Sequence, residues 1–261
     1  MDFFSKRYAY PVCGMYSAGH ILFLLVIALF IAVGLFFSKN ISEKGLKKQT
    51  LSFAIVLWVL EIIKIGYNHL NGYFGWDQWV PLAFCSLMLY ALWFAILKNP
   101  MLHKMGSAWI IVGGTLGGLC YLIYPSTSLT EVQALHFLAF HGMGYHGVLL
   151  YLGILYFIHS DFEVTLKNFK YYAYFLGVFF PLTIILDYAF KVNLMFFREA
   201  YNLPKFVAAV AEWNLPIYTL IVILFYSVLP YAIICGVNKL SDAFHKETGE
   251  DKLEEMSANQ E

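Results

Sequence analysis

Long apolar runs, broken by short polar and charged stretches, set the pattern of this chain. A helix needs roughly 20 mostly apolar residues to cross a hydrocarbon core about 30 Å thick. Seven runs approach that length: residues 20–37, 51–67, 79–97, 107–124, 135–158, 171–189 and 216–237. The runs are continuous rather than short and alternating, which argues against a β-barrel and for helices that satisfy their own backbone groups. The pattern predicts an all-α, polytopic membrane helix bundle with about seven transmembrane helices. Residues 1–240 are expected to form one transmembrane domain. Residues 241–261, with Glu247, Glu250, Asp251, Glu254 and Glu255, read as a polar, acidic cytoplasmic tail.

Composition strengthens this reading. Hydrophobic residues make up 60% of the 261 and charged residues 13%, about half the charged share of a soluble domain. Seventeen basic and 17 acidic side chains leave no net charge, so there is no basic surplus to hold nucleic acid. Four cysteines are too few for a disulfide-built secreted scaffold. Lys6 and Arg7 precede the first run as in a signal peptide, but the run is too long for an h-region and no small-x-small cleavage site follows.

The connecting segments give the chain an orientation. Lys39, Lys44, Lys47, Lys48, Lys98, Lys104, Lys167, Lys170, Lys239, Lys246 and Lys252 fall on one side, eleven in all, against five on the other: Lys6, Arg7, Lys191, Arg198 and Lys205. The basic side is expected in the cytoplasm, with the N-terminus outside and the protein in the cell membrane.

Ionisable residues inside a span are costly and mark sites or interior contacts. Glu61 and Lys64 lie three apart, on one helical face. Cys85 follows Pro81, expected in the first turn of the third span. His136, His141 and His146 recur every five residues, a net turn of about 140° per step, so they cannot share one narrow face, and the spacing does not suit zinc on a helix. No cofactor is expected. Asp187 and Asn193 close the sixth span, where an interfacial pair with Lys191 is the plainer reading. Gly113, Gly114, Gly117 and Gly118 overlap as two GxxxG patterns that favour close helix contact. With the spans alternating in direction, Glu61, Lys64, Cys85, His141, His146, Asp187 and Asn193 all fall toward the outer end, as a shared cavity requires.

Four of these stretches carry a resemblance: Glu61-Ile62-Ile63-Lys64; Trp79-Val80-Pro81-Leu82-Ala83-Phe84-Cys85-Ser86; His141-Gly142-Met143-Gly144-Tyr145-His146-Gly147; and Asp187-Tyr188 followed by Asn193-Leu194-Met195-Phe196. In order and spacing, over about residues 51–197, the chain resembles the YwaF-like integral membrane proteins, relatives of eukaryotic membrane phospholipid acyltransferases. The resemblance implies a helical bundle, membrane phospholipids as partners, and acyl transfer or lipid ester hydrolysis carried by Cys85 as nucleophile and His146 as base. His141 would assist. Glu61, Lys64, Asp187 and Asn193 would support these groups or contact a headgroup, and Lys64 could stabilise an oxyanion. The alternative from another class is a transporter or a lipid- or small-molecule-binding membrane protein that uses the same cavity without covalent chemistry. A purely structural subunit is the third reading.

Overall fold

The computed structural model of the protein describes residues 2–200 and 205–258, and every regular element among them is helical. α1 (Ala18–Ser38) begins where the Ser17 hydroxyl accepts from the His20 amide. α2 (Glu43–Leu70) begins the same way, with Ser42 accepting from Gly45. Lys47 pairs with Glu43 at 2.6 Å one turn later. The cap and the pair carry α2 through the charged stretch before the apolar run at 51.

The third run departs from expectation. Residues 79–97 do not form one helix with Pro81 in its first turn. α3 (Trp76–Trp79) is a single turn, residues 80–84 are irregular, a 3-10 turn covers Cys85–Leu87, and α4 (Met88–Ile96) completes the segment. Pro81 lacks an N–H and its ring clashes with a preceding turn. The helix therefore restarts only beyond it, at Cys85.

α5 (Pro100–Trp109), a π-helical turn (Ile110–Gly114) and α6 (Thr115–Ile123) make one rod. α7 (Phe137–His159), α8 (Phe169–Phe190), the short α9 (Lys205–Trp213) and α10 (Leu215–Ala258) follow. No break in α10 marks residue 241, and residues 259–261 lie outside the described ones. Among the described residues, six helical rods are long and apolar enough to cross a membrane, and Cys85–Ile96 is a shorter apolar helix.

α7 sits at the centre, packed against α1, α2 and α6. The GxxxG glycines do serve close contact. A Cβ on Gly118 would lie 2.8 Å from the His146 carbonyl oxygen and from the Leu150 amide nitrogen, both on α7. Leu22, Leu25, Val26 and Leu29 of α1 stay exposed, which suits a face turned to lipid rather than water.

The helix ends sort into two faces. At one, the N-face, the segment before α1 folds over the bundle: the Phe137 amide donates to Phe3, the Gly14 amide to Leu129, and the Tyr67 hydroxyl to Ser5. At the other, Ser38 meets Tyr151, Thr50 meets Tyr156, and His103 links Ala95 to Asp161. This is the lysine face, where Lys39, Lys98 and Lys167 lie in the connections. The chain passes between the faces on the six long rods and once more on the broken third segment.

Candidate active site

Cys85 opens the restarted helix. The first N–H groups of a helix have no intrahelical acceptor, and no side chain caps either the 3-10 turn or α4. The Leu87 amide is taken by the Phe84 carbonyl and the Met88 amide by the Cys85 carbonyl, which leaves the Cys85 and Ser86 amides as the open donors of the turn among the described residues. The Tyr145 hydroxyl donates to the Cys85 carbonyl at 3.2 Å and ties the turn to α7. On the other side stands α6, where a Cβ on Gly117 would lie 3.4 Å from the Cys85 sulfur.

His146 reaches the same face of α6. Its ring stacks on Tyr121 with centroids 3.5 Å apart and planes at 8°. Gly117 and Tyr121 are four residues apart and adjoin on one helical face, so Cys85 and His146 both pack against that face of α6. No hydrogen bond joins them among the described residues. His146 Nδ1 is 2.7 Å from the Gly142 carbonyl oxygen. A carbonyl accepts, so Nδ1 carries the hydrogen, and a neutral ring then presents Nε2 as an acceptor, the form a general base needs.

His141 turns to a different helix, as the five-residue spacing predicts. Its Nε2 lies 3.6 Å from Glu61 Oε2 and is buried without a hydrogen-bond partner. Glu61, only 3% exposed, pairs through Oε1 with Lys64 at 2.6 Å. The His141 ring also stacks on Tyr145, at 5.8 Å and 12°. Glu61, Lys64, His141, Tyr145, His146 and Cys85 therefore form one connected cluster. His136 is different. It caps α7 by accepting from the Leu138 amide, and its Nε2 donates to the Ser5 carbonyl.

Asp187 and Asn193 lie elsewhere. Asp187 is fully buried at the N-face end of α8, where Oδ1 accepts from the Leu194 amide at 2.8 Å. Asn193 Oδ1 accepts from the Arg198 and Glu199 amides. Both fold the turn after α8, in which Lys191 adopts φ 55°. Neither hydrogen-bonds to the Cys85–His146 cluster among the described residues, and no ion pair joins Asp187 to Lys191 there.

Above the cluster, the N-terminal segment is held by Arg7. Its guanidinium donates to Asn68 and Gln78, pairs with Glu131 at 3.3 Å and lies over the Tyr73 ring. Burial raises the Glu131 carboxyl above its usual value, against the pull of Arg7. To the side, a groove of about 510 Å³ lined by Ile62, Ile65, Gly66, His69, Leu70 and Trp79 runs beside the break at 80–84. It is apolar and borders the exposed outer flank of α2.

With this geometry in hand, comparison with known families is decisive at one level. The TMEM164 family profile matches residues 15–231. The chain belongs to the TMEM164 family. The match spans every element from α1 to the middle of α10, so the cluster lies wholly within the TMEM164 region. It supports a multi-pass membrane protein and stops there. Neither a curated protein nor a solved structure matches the chain.

Four contributors lie outside what the sequence pattern singles out. Tyr145 sat between two singled-out histidines and was the most legible, since a buried hydroxyl must find an acceptor. Tyr121 and the π-helical turn had no sequence signal beyond the adjacent glycines. In the sequence, Arg7 carries no signal beyond a flanking charge.

Proposed function

We propose that this TMEM164-family protein is a membrane-embedded acyltransferase or lipid ester hydrolase, as its likeness to the YwaF-like proteins and their acyltransferase relatives suggests. The observation that carries the reading is the uncapped helix start at Cys85, on the face of α6 against which His146 also packs. His146 Nε2 takes the thiol proton. The thiolate attacks an ester carbonyl of a phospholipid, and negative charge develops on the carbonyl oxygen. The open N–H groups of the helix start are suited to that charge. The C–O bond then breaks, the proton passes from His146 to the departing lysolipid oxygen, and the acyl group remains on sulfur as a thioester. A lipid hydroxyl, or water, gives its proton to His146, attacks the thioester and restores the thiol.

Tyr145 positions the Cys85 turn. Glu61 and Lys64 hold a charged pair beside His141, close to where a headgroup would lie. The groove by Trp79 offers an acyl chain a lateral path from the bilayer to the break. The lysine asymmetry favours an N-face outside the cytoplasm, so the substrate would come from the outer leaflet. A reporter fused at the C-terminus and active only outside the cytoplasm should stay silent.

The broken third segment also suits the rival reading, because interrupted helices are used for binding and transport. One experiment separates the two. Protein in vesicles is given a phospholipid with a labelled acyl chain, then denatured and treated with neutral hydroxylamine, which cleaves thioesters. Covalent label that hydroxylamine releases, and that Cys85→Ala lacks, supports the enzyme. Lipid binding with no covalent label and no product supports the rival.

A further inference from the structure

The lysine face carries a second constellation, remote from Cys85. α5 and α8 both begin there, packed side by side. Between their starts lies a cavity of about 360 Å³ lined by Pro100, Met101, Lys104, Lys170, Tyr171 and Tyr174. Lys104 of α5 and Lys170 of α8 both aim at Tyr171, with Nζ 5.4 and 5.2 Å from its ring centroid.

Two features need an explanation. First, two like charges converge on one ring, and among the described residues neither lysine has a carboxylate within ion-pair distance. Asp161 is engaged by His103 at 2.9 Å and feels the Lys104 charge without forming an ion pair with it. Convergent ammonium groups repel, and a long, flexible lysine could relieve that by turning to water. Second, the positive ends of two helix dipoles meet at the same place. The first amides of α5 are already taken, since Asn99 Oδ1 accepts from Met101 and Leu102. At α5 an occupant is therefore held by side chains: two ammonium groups, with the Tyr171 and Tyr174 hydroxyls, which hydrogen-bond to no described residue; the α8 start carries no side-chain cap. Met101 and Tyr174, both about half exposed, form an apolar lip facing outward.

We propose that this cavity binds the phosphate of an anionic phospholipid at the lysine face. The phosphate sits between Lys104 and Lys170, the tyrosine hydroxyls donate to its oxygens or to the glycerol, and the acyl chains run down the α5–α8 seam past Met101 and Tyr174. The lipid is favoured over free phosphate because the cavity stands at the end of two membrane-crossing rods with an apolar lip, and basic pockets between helices at this depth suit anionic headgroups. The site is independent of the Cys85 chemistry, and either can fail without the other.

The test uses the full chain in nanodiscs of phosphatidylcholine alone or mixed with phosphatidylglycerol. Lipid retention after gentle extraction is read by native mass spectrometry, and thermal midpoint is read in parallel. The native chain should retain phosphatidylglycerol selectively and melt higher in its presence. Lys104→Gln/Lys170→Gln should lose about tenfold or more of that preference, while Lys104→Arg/Lys170→Arg keeps it. Lys44→Gln/Lys48→Gln, which removes the same charge elsewhere on the lysine face, should keep it too. Equal retention by Lys104→Gln/Lys170→Gln and the native chain overturns the proposal, as does an equal loss in the control pair. If inorganic phosphate raises the midpoint in phosphatidylcholine discs as much as phosphatidylglycerol does, the site takes free phosphate and the lipid assignment falls.

Discussion

The two halves of α7 handle their polar side chains in opposite ways. Toward the lysine face, the Tyr151 hydroxyl is met by Ser38 and Gln49. Tyr156 donates to Thr50 Oγ1, whose own hydrogen goes to the Leu46 carbonyl. Each hydroxyl has its partners, and the result is a set of pins between helices. Toward the N-face, no described residue hydrogen-bonds to His146 Nε2, and His141 Nε2 is buried with Glu61 Oε2 at 3.6 Å, beyond hydrogen-bond reach. The adjoining helix start at Cys85 is uncapped. Satisfied polar groups in a bundle rigidify it. A buried group left open carries a cost that a purely structural role does not explain. Within α7 that cost falls on the first half, at His141; on the other half it falls on a neighbour, Gln49 Oε1, and not on the helix itself.

The most severe test of this contrast is activity. Cys85→Ala should abolish acyl transfer or hydrolysis, and Cys85→Ser should leave a trace, since a hydroxyl is a poorer nucleophile in the same place. His146→Ala should lose activity to a similar degree. The double variant should be hardly worse, because residues that act as a unit are not additive. Cys120→Ala and Cys235→Ala should change little. Turnover of labelled phospholipid in vesicles measures all five, and full turnover by Cys85→Ala would remove the thiol mechanism.

Next in size is the charged pair beside His141. Glu61→Gln or Lys64→Met alone strands a charge in an apolar surrounding and should destabilise the protein by about 3 kcal/mol. The joint variant should recover most of that loss. Unfolding midpoints in a fixed detergent decide it. Three equal, mild effects would mean that the pair does not behave as buried.

How far the sequence led depends on which physics it encodes. Span position was legible because an apolar run long enough for the bilayer has few other uses. The ends were less so. α2 begins at Glu43 rather than 51, since a serine cap and an i, i+4 pair extend a helix through charged residues. His136, read as part of the fifth span, is the cap before it. The third segment departs from the pattern at Pro81, which the sequence suggests as a first-turn residue and the structure places in the break between α3 and Cys85. The histidine spacing correctly separated His141 from His146. Nothing in the spacing revealed that His146 would turn to Tyr121, because that depends on Gly117 and Gly118 letting α6 come close.

On the satisfied half of α7, removing a single pin should be modest. Tyr156→Phe deletes one hydroxyl while Thr50 keeps its bond to Leu46, so a loss of about 1 kcal/mol is expected, with activity unchanged. Tyr145→Phe is the matching change on the open half. Its stability cost should be similar, but turnover should fall because the Cys85 turn loses its tie. The same unfolding and turnover assays apply to both. Equal activity in the two variants would erase the contrast between the halves.

The smallest effect concerns the cover over the open half. Glu131 holds its proton more tightly in the folded protein than its usual value of 4.5, because burial outweighs the nearby Arg7. The folded state therefore binds more protons than the unfolded chain between that value and the higher folded one. Stability should decline slightly as pH rises through that interval, then level off once the carboxylate is ionised in both states. Glu131→Gln removes the titrating group and should flatten this slope. Arg7→Gln takes away the one charge that favours the carboxylate, so it should deepen the decline and move it to higher pH. Thermal midpoints across mildly acid to neutral pH read all three. An unchanged slope in Glu131→Gln would mean that this carboxyl is not the group responsible, and that Arg7 secures the cover through Asn68, Gln78 and Tyr73 alone.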